Sequence, residues 1–242
     1  MHELPFTQLL NRIFAGPVTA LLQALHVRVA HPATPIPDHV SMQIAVVLLL
    51  TILFLLTRAR LSVDNPGGLQ HTFESIEGFV GGLGKEIIGH HYQQYMGYLV
   101  ALGLFILGCN LIGLIPTFES PTANPVVPLG CALLTWCYYH FQGLREHGGG
   151  YVKHFMGPVW WLAPLMFPIE VFSHLARVLS LTIRLFANMF AGEMVTLVFF
   201  SLIPIGIPII FQGLHIGVAF IQTYIFVLLT CVYLGEATAH EH

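Results

Sequence analysis

Hydrophobic positions along this chain come in long runs rather than in the short alternating stretches of a soluble fold. Residues 40–57 (VSMQIAVVLLLTILFLLT) are apolar over a length that spans a bilayer, and Arg58 and Arg60 close the run. Asp64-Asn65-Pro66-Gly67-Gly68 then marks a turn. Over 69–94 the pattern changes. Phe73, Ile76, Phe79, Val80, Leu83, Ile87 and Ile88 recur among Glu74, Glu77, Lys85 and Glu86, the spacing of an amphipathic helix suited to the membrane interface. Residues 95–115 form a second apolar run, and Pro116 to Pro128 is a loop. Residues 129–142 then read as a short or tilted third span closed by Gln142 and Gly143, so that 95–142 makes a helical hairpin. The stretch 144–156 (LREHGGGYVKHFM) is a polar connection with a glycine cluster.

The last third carries the longest elements. From Pro168 to about Ile203 only Gly192 interrupts a helical pattern, Pro204-Ile205-Gly206-Ile207-Pro208 is a turn, and a further run goes from about Ile209 to Leu234. Proline at 168 suits the first turn of a helix, where its missing N–H has no partner to lose. At about 1.5 Å per residue the first arm is roughly 54 Å long, against a hydrocarbon layer of about 30 Å. It cannot stand upright. The pattern therefore predicts an all-α integral membrane protein with about five membrane-embedded helices, an interfacial amphipathic helix, and a long, strongly tilted hairpin over 168–235.

Composition agrees: 55% of the 242 residues are hydrophobic and 9% charged, where a soluble domain carries about 25% charged residues. The net charge of −3 gives no reason to expect nucleic acid as a partner. Cys109, Cys131, Cys137 and Cys231 lie inside apolar runs without a CxxC pair and read as small buried hydrophobes. Residues 1–25 mix Glu3, Gln8, Asn11 and Arg12 with apolar residues, unlike a signal peptide, and an Arg- and Ser-rich transit peptide is not expected either. Arg58, Arg60, Lys85, Arg145 and Lys153 fall on one side of the membrane and Arg12 and Arg28 on the other. The positive-inside rule then puts segment 1–39 outside and the 144–156 loop and the C-terminus inside.

Chemistry concentrates in the first arm of the hairpin, which carries Glu170, His174, Arg177, Ser180, Arg184, Asn188 and Glu193. A charge at bilayer depth costs roughly 2.5–3.5 kcal/mol on insertion scales and marks an ion or proton path by default. At about 100° per residue, Glu170, Arg177 and Arg184 drift by only about 40° and share a stripe with Ser180 and Asn188, while Glu193 points the other way. Glu170 has His174 one turn on, a partner that can satisfy it locally, and His174 is weighed as a path residue but left out. Arg184 has no acid three or four residues away in either direction. The second arm offers His215 and Gln222, which match Glu193 and Arg184 in depth around the turn but not in facing. On these residues alone an internally paired structural cluster remains the competing reading.

The run Ser180-Leu-Thr-Ile-Arg184-Leu-Phe-Ala-Asn188-Met-Phe-Ala-Gly192-Glu193 closely resembles the signature of subunit a of the F-type ATP synthases. His215, Gln222 and the ending Val232-Tyr233-Leu234 resemble the same family, as do Asn110-Leu-Ile-Gly113-Leu-Ile-Pro116 and Pro121-Thr122-Ala123. The resemblance implies a non-catalytic stator subunit beside a rotating ring of c subunits, held by peripheral-stalk b subunits and coupled to a catalytic head. It implies that Arg184 attracts each ring carboxylate and separates two aqueous half-channels. Glu193, His215 and Gln222 would line the outer one and Glu170 with Ser173 the inner one, and Asn188, one turn from Arg184, counts among the ion-translocation residues. A bacterial plasma membrane is the expected location. The chain departs from the family where Pro-Thr-Ala is usually followed by aspartate and Asn124 stands instead; Glu119 is the nearby candidate to replace it.

Two other classes compete. A secondary ion-coupled transporter would usually show internal repeats or paired broken helices, and none is seen between the halves. A haem or metal enzyme is prompted by the 14 histidines, but no HExxH occurs and most histidines fall in polar segments. No cofactor or metal is expected, and without a nucleotide-binding motif the chain cannot make ATP alone.

Overall fold

The computed structural model describes residues 4–24, 26, 34–63, 65–89, 91–115, 118–151, 160–202 and 206–239. Among them seven α-helices and several short 3₁₀ turns make up the fold, with no strand. The protein is an all-α integral membrane protein. Helices over Asp38–Ala59, Tyr92–Ile112, Ala163–Leu202 and Pro208–Thr238 are long and apolar enough to cross a bilayer.

Helix α1 (Pro5–Ala24) lies in the N-terminal segment, where the mixed pattern gave no clear element. Its two buried residues, Thr7 and Asn11, are both polar. Thr7 donates to Asp38 and meets Ser41 at 2.5 Å in each case, and Asn11 exchanges two hydrogen bonds with the backbone of Ile36. Leu9, Ile13, Phe14 and Leu21 face outward. Such an inverted helix is at home in lipid, where apolar side chains need no protein cover.

Helix α2 (Asp38–Ala59) leaves most of its apolar surface outside the protein. Helix α3 (Gly68–Ile87) is the amphipathic element, and it ends seven residues before the expected boundary at 94. Gly89, with φ +87°, turns the chain there, and Tyr92–Tyr95 form a 3₁₀ turn leading into α4 (Met96–Ile112). A Cβ on Gly84 would stand 3.3 Å from the Tyr92 ring, so the glycine lets α3 fold close against the start of α4.

Helix α5 (Val126–His147) has 22 residues, longer than the expected 129–142, and is not among the helices apolar enough to span by composition. Its second half carries Tyr138, Tyr139, His140, Gln142, Arg145 and Glu146, and those groups face protein rather than lipid only in part. Helix α6 (Ala163–Leu202) begins before Pro168, which falls at its sixth position and so removes only an early backbone bond. Its 40 residues reach about 60 Å, twice the hydrocarbon thickness, and it returns as α7 (Ile207–Thr238). Gly206 at φ +95° opens α7, which already includes Ile207 and Pro208 of the expected turn, while the 204–205 part of that turn lies outside the described residues, as does 152–156 of the expected inner loop.

Helices α4, α5, α6 and α7 pack on one another around Leu99, Ile106, Ala132, Leu185, Met189, Phe226 and Leu234, all fully buried. Cys109, Cys131 and Cys231 are buried in this core, but Cys137 is exposed, because its position on α5 points away from α6 and α7.

Candidate functional site

Arg184 sits half-buried midway along α6, next to the buried positions Leu181 and Leu185 on one side and the exposed Ile183 and Ala187 on the other. Its Nη2 donates to Ser180 Oγ at 3.4 Å. Among the described residues no carboxylate lies within ion-pairing distance of it. The two charged partners of its expected stripe are both engaged elsewhere. Arg177 Nη1 lies 2.5 Å from Glu236 Oε2 on α7 and its guanidinium covers the Tyr233 ring at 4.9 Å, while Glu170 Oε1 is 3.4 Å from His174 Nε2. Pairing therefore accounts for every charge of the stripe except Arg184.

Two polar clusters flank the arginine along α6. The first lies about 13 Å toward the α6–α7 turn. Gly113 closes α4, and a Cβ there would meet Ser120 Cβ at 2.5 Å and its backbone at 2.9 Å, so the loop folds back onto the helix end only because the side chain is missing. Ser120 Oγ donates to the Cys109 carbonyl and meets Thr122 Oγ1 at 2.7 Å; Thr122 Oγ1 in turn donates to Asn110 Oδ1. This network aims the Ser120 N–H at Glu193 Oε1, 2.8 Å away. Glu119 is near enough to act electrostatically on both Glu193 and His39, and Asn124 Nδ2 meets His39 Nδ1 at 3.3 Å.

His215 packs face-on to Gly192: a Cβ at 192 would lie 3.0 Å from its Cε1 and Nε2 and 3.1 Å from its Cδ2. The imidazole is 4% exposed, and Nε2 has no hydrogen-bond partner among the described residues. Matched depth thus brings His215 beside Glu193's neighbour, while the Glu193 carboxylate turns to Ser120. Gln222, 2% exposed, accepts from Asn188 Nδ2 at 2.8 Å. The facing mismatch resolves in this way: Asn188, one turn beyond Arg184, is the residue that meets Gln222.

The second cluster lies about 10–21 Å the other way along α6. A cavity of about 40 Å³ is lined by Tyr139, Tyr151, Glu170, His174, Arg177, Tyr233, Glu236 and Ala237. His174 Nδ1 meets the Tyr139 hydroxyl at 2.8 Å, and His140 Nδ1 meets Tyr151 at 2.8 Å. Ser173 is partly buried and is not among the residues lining this cavity. Tyr139, Glu236 and Ser120 went unnoticed in the sequence. Glu236 had a signal, since it lies nearly as far beyond the turn as Arg177 lies before it.

Over residues 39–235 the chain matches the family model described as ATP synthase A chain. The chain belongs to the ATP synthase subunit a family. It is 60% identical to ATP synthase subunit a of Koribacter versatilis (strain Ellin345) over 242 residues, covering 100% of this chain and 99% of that one. With ATP synthase subunit a of Solibacter usitatus (strain Ellin6076) it shares 51% over 217 residues, 89% of this chain and 93% of the relative. ATP synthase subunit a 1 of Syntrophotalea carbinolica (strain DSM 2380 / NBRC 103641 / GraBd1) is 47% identical over 204 residues, 84% and 87% of the two chains. Membership and the apolar helices together make this chain a membrane subunit of an ATP synthase, which sets the transporter and metal-enzyme readings aside.

Proposed function

We propose that this chain is the proton-translocating stator subunit of the membrane sector, with Arg184 separating two aqueous half-channels that open to opposite sides. The observation that carries the reading is the unpaired charge. Arg184 is half-buried in an apolar helix, its neighbours' charges are matched, and among the described residues it has no carboxylate. An arginine at bilayer depth needs a counter-ion, so the anion comes from another chain: a ring of c subunits, each bringing one intramembrane carboxylate past Arg184. Arginine suits that task because its pKa above about 12 keeps it from relaying protons.

The face of α6 available to such a ring is large. Only 11% of its apolar window is buried in the protein, and Phe172, Leu175, Leu179, Ile183, Phe190, Met194 and Leu197 are exposed along it. On the outer side Glu193, His215, Asn188 and Gln222 form the path toward the ring, with Glu119 taking the place of the family's loop aspartate at Asn124. On the inner side Glu170 and its cavity form the way out, with Ser173 beside it. Peripheral-stalk b subunits and the catalytic head complete the complex, which sits in a bacterial plasma membrane with the N-terminus outside and the C-terminus cytoplasmic.

Purification of the tagged chain from mild detergent tests the assembly. The reading expects copurification of the catalytic head and of a small, repeated membrane protein with a carboxylate at mid-membrane. A preparation of intact chain that holds neither overturns it.

A further inference from the structure

The cavity at the inner end contains a histidine that the path above does not use. His174 is 9% exposed, and its two ring nitrogens reach partners on different helices: Glu170 through Nε2 at 3.4 Å on α6, and the Tyr139 hydroxyl through Nδ1 at 2.8 Å on α5. The His140 ring stands 4.6 Å away and is itself bonded to Tyr151. From α7, Tyr233 and Glu236 close the remaining side, with Glu236 held by Arg177. The space of about 40 Å³ admits about three or four waters, since one needs roughly 10–15 Å³.

Two features of this arrangement point to more than packing. A hydroxyl can donate or accept, so Tyr139 stays bonded to Nδ1 whether the imidazole is neutral or protonated. Glu170 on the other nitrogen can hold a proton or receive one. The site therefore tolerates both protonation states of a histidine without leaving a buried group unpaired, and it offers that histidine water.

We propose that His174 is a proton-transfer residue of the inner path, passing protons between Glu170 and the cavity water; this deepens the reading above and rests on it. Glu170 in its acid form gives its proton to the imidazole, leaving a carboxylate beside an imidazolium. The imidazolium then gives its Nδ1 proton to the Tyr139 hydroxyl, which releases its own proton to the cavity water, and the ring returns to neutral. Only O–H and N–H bonds change, and water is the sole co-reactant. Arg177, His140, Glu170 and Glu236 are the charged or titratable groups that face the ring, with the hydroxyls of Tyr139, Tyr151 and Tyr233. The pairing of Arg177 with Glu236 leaves Glu170 as the carboxylate free to exchange with His174.

Gradient-driven ATP synthesis by the holoenzyme in membrane vesicles tests this. The pH of the inner side is varied over about 5.5–8.5 at constant gradient, around the range in which histidine titrates, and each rate is divided by uncoupled hydrolysis at that pH. His174→Gln keeps a donor and an acceptor but cannot titrate, and His174→Leu keeps neither. Both variants are expected to lose synthesis by about tenfold or more, with a flattened pH profile. A glutamine variant with wild-type rate and profile overturns the proposal and leaves His174 a structural bridge. If the variants fail to assemble, Tyr139→Phe removes only the Nδ1 partner and is expected to displace the profile by about half a pH unit or more; an unmoved profile overturns the proposal. Arg184→Ala is run alongside. Retained coupling there overturns the underlying reading, whereas lost coupling there with a normal His174→Gln overturns this inference alone.

Discussion

Gly192→Val is the substitution whose effect the structure specifies most closely. A Cβ at 192 lies 3.0 Å from two atoms of the His215 ring and 3.1 Å from a third, where carbon atoms rest at about 3.5–4.0 Å. All three contacts are short by about 0.4 Å or more, and valine adds two methyl groups to them. His215 is 4% exposed, so its ring has no free space to swing into. Overpacking of this kind costs about 1–3 kcal/mol, a factor of about five to 150 at about 1.4 kcal/mol per tenfold. The strain falls on the ring that the outer path needs. Gradient-driven ATP synthesis in vesicles, normalised to the amount of assembled complex, is expected to fall about tenfold. Adding His215→Ala removes the clash and is expected to restore assembly but not synthesis, because alanine cannot carry a proton. Full synthesis by Gly192→Val would show that His215 does not stand against this glycine, and full synthesis by the double variant would show that His215 does not carry protons.

Three further outcomes follow from individual contacts. Glu119→Gln is expected to lower gradient-driven synthesis severalfold, since its charge reaches both His39 and Glu193; unchanged rates would remove it from the path. Asn188→Ala deprives the buried Gln222 carbonyl of its donor, at a cost of about 1–3 kcal/mol, and Asn188→Leu with Gln222→Leu is expected to cost less than the sum of the single changes in thermal denaturation of the purified complex. Glu236→Gln is expected to destabilise by no more than about 1 kcal/mol because the carboxylate is half exposed. Arg177→Ala is expected to cost more, because it also uncovers the Tyr233 ring. Equal losses would argue against that stacking.

What was legible in the sequence and what was not divides along a physical line. The runs at 40–57 and 95–115 announce α2 and α4 because lipid accepts apolar side chains all round a helix, so no partner is needed to explain them. The isolation of Arg184 was also legible, since helical spacing shows every possible partner on its own helix. Contacts between distant segments were not. Spacing shows His174 one turn from Glu170, while Tyr139 is 35 positions away and appears beside it only in the fold. The turn of Glu193 toward Ser120 depends on a loop folding back over a bare glycine, which periodicity does not register. Helix α1 was missed because its pattern is inverted, with Thr7 and Asn11 inside. The break after α3 rests on one left-handed glycine, Gly89, inside an otherwise continuous amphipathic pattern.

The central claim is that Arg184 answers a carboxylate on another chain and keeps two proton paths apart. Gradient-driven ATP synthesis by vesicles carrying the Arg184→Ala complex tests it most directly, with assembly verified by copurification of the catalytic head. The account predicts an assembled complex with no gradient-driven synthesis. An assembled complex that still couples the gradient to ATP synthesis would contradict it.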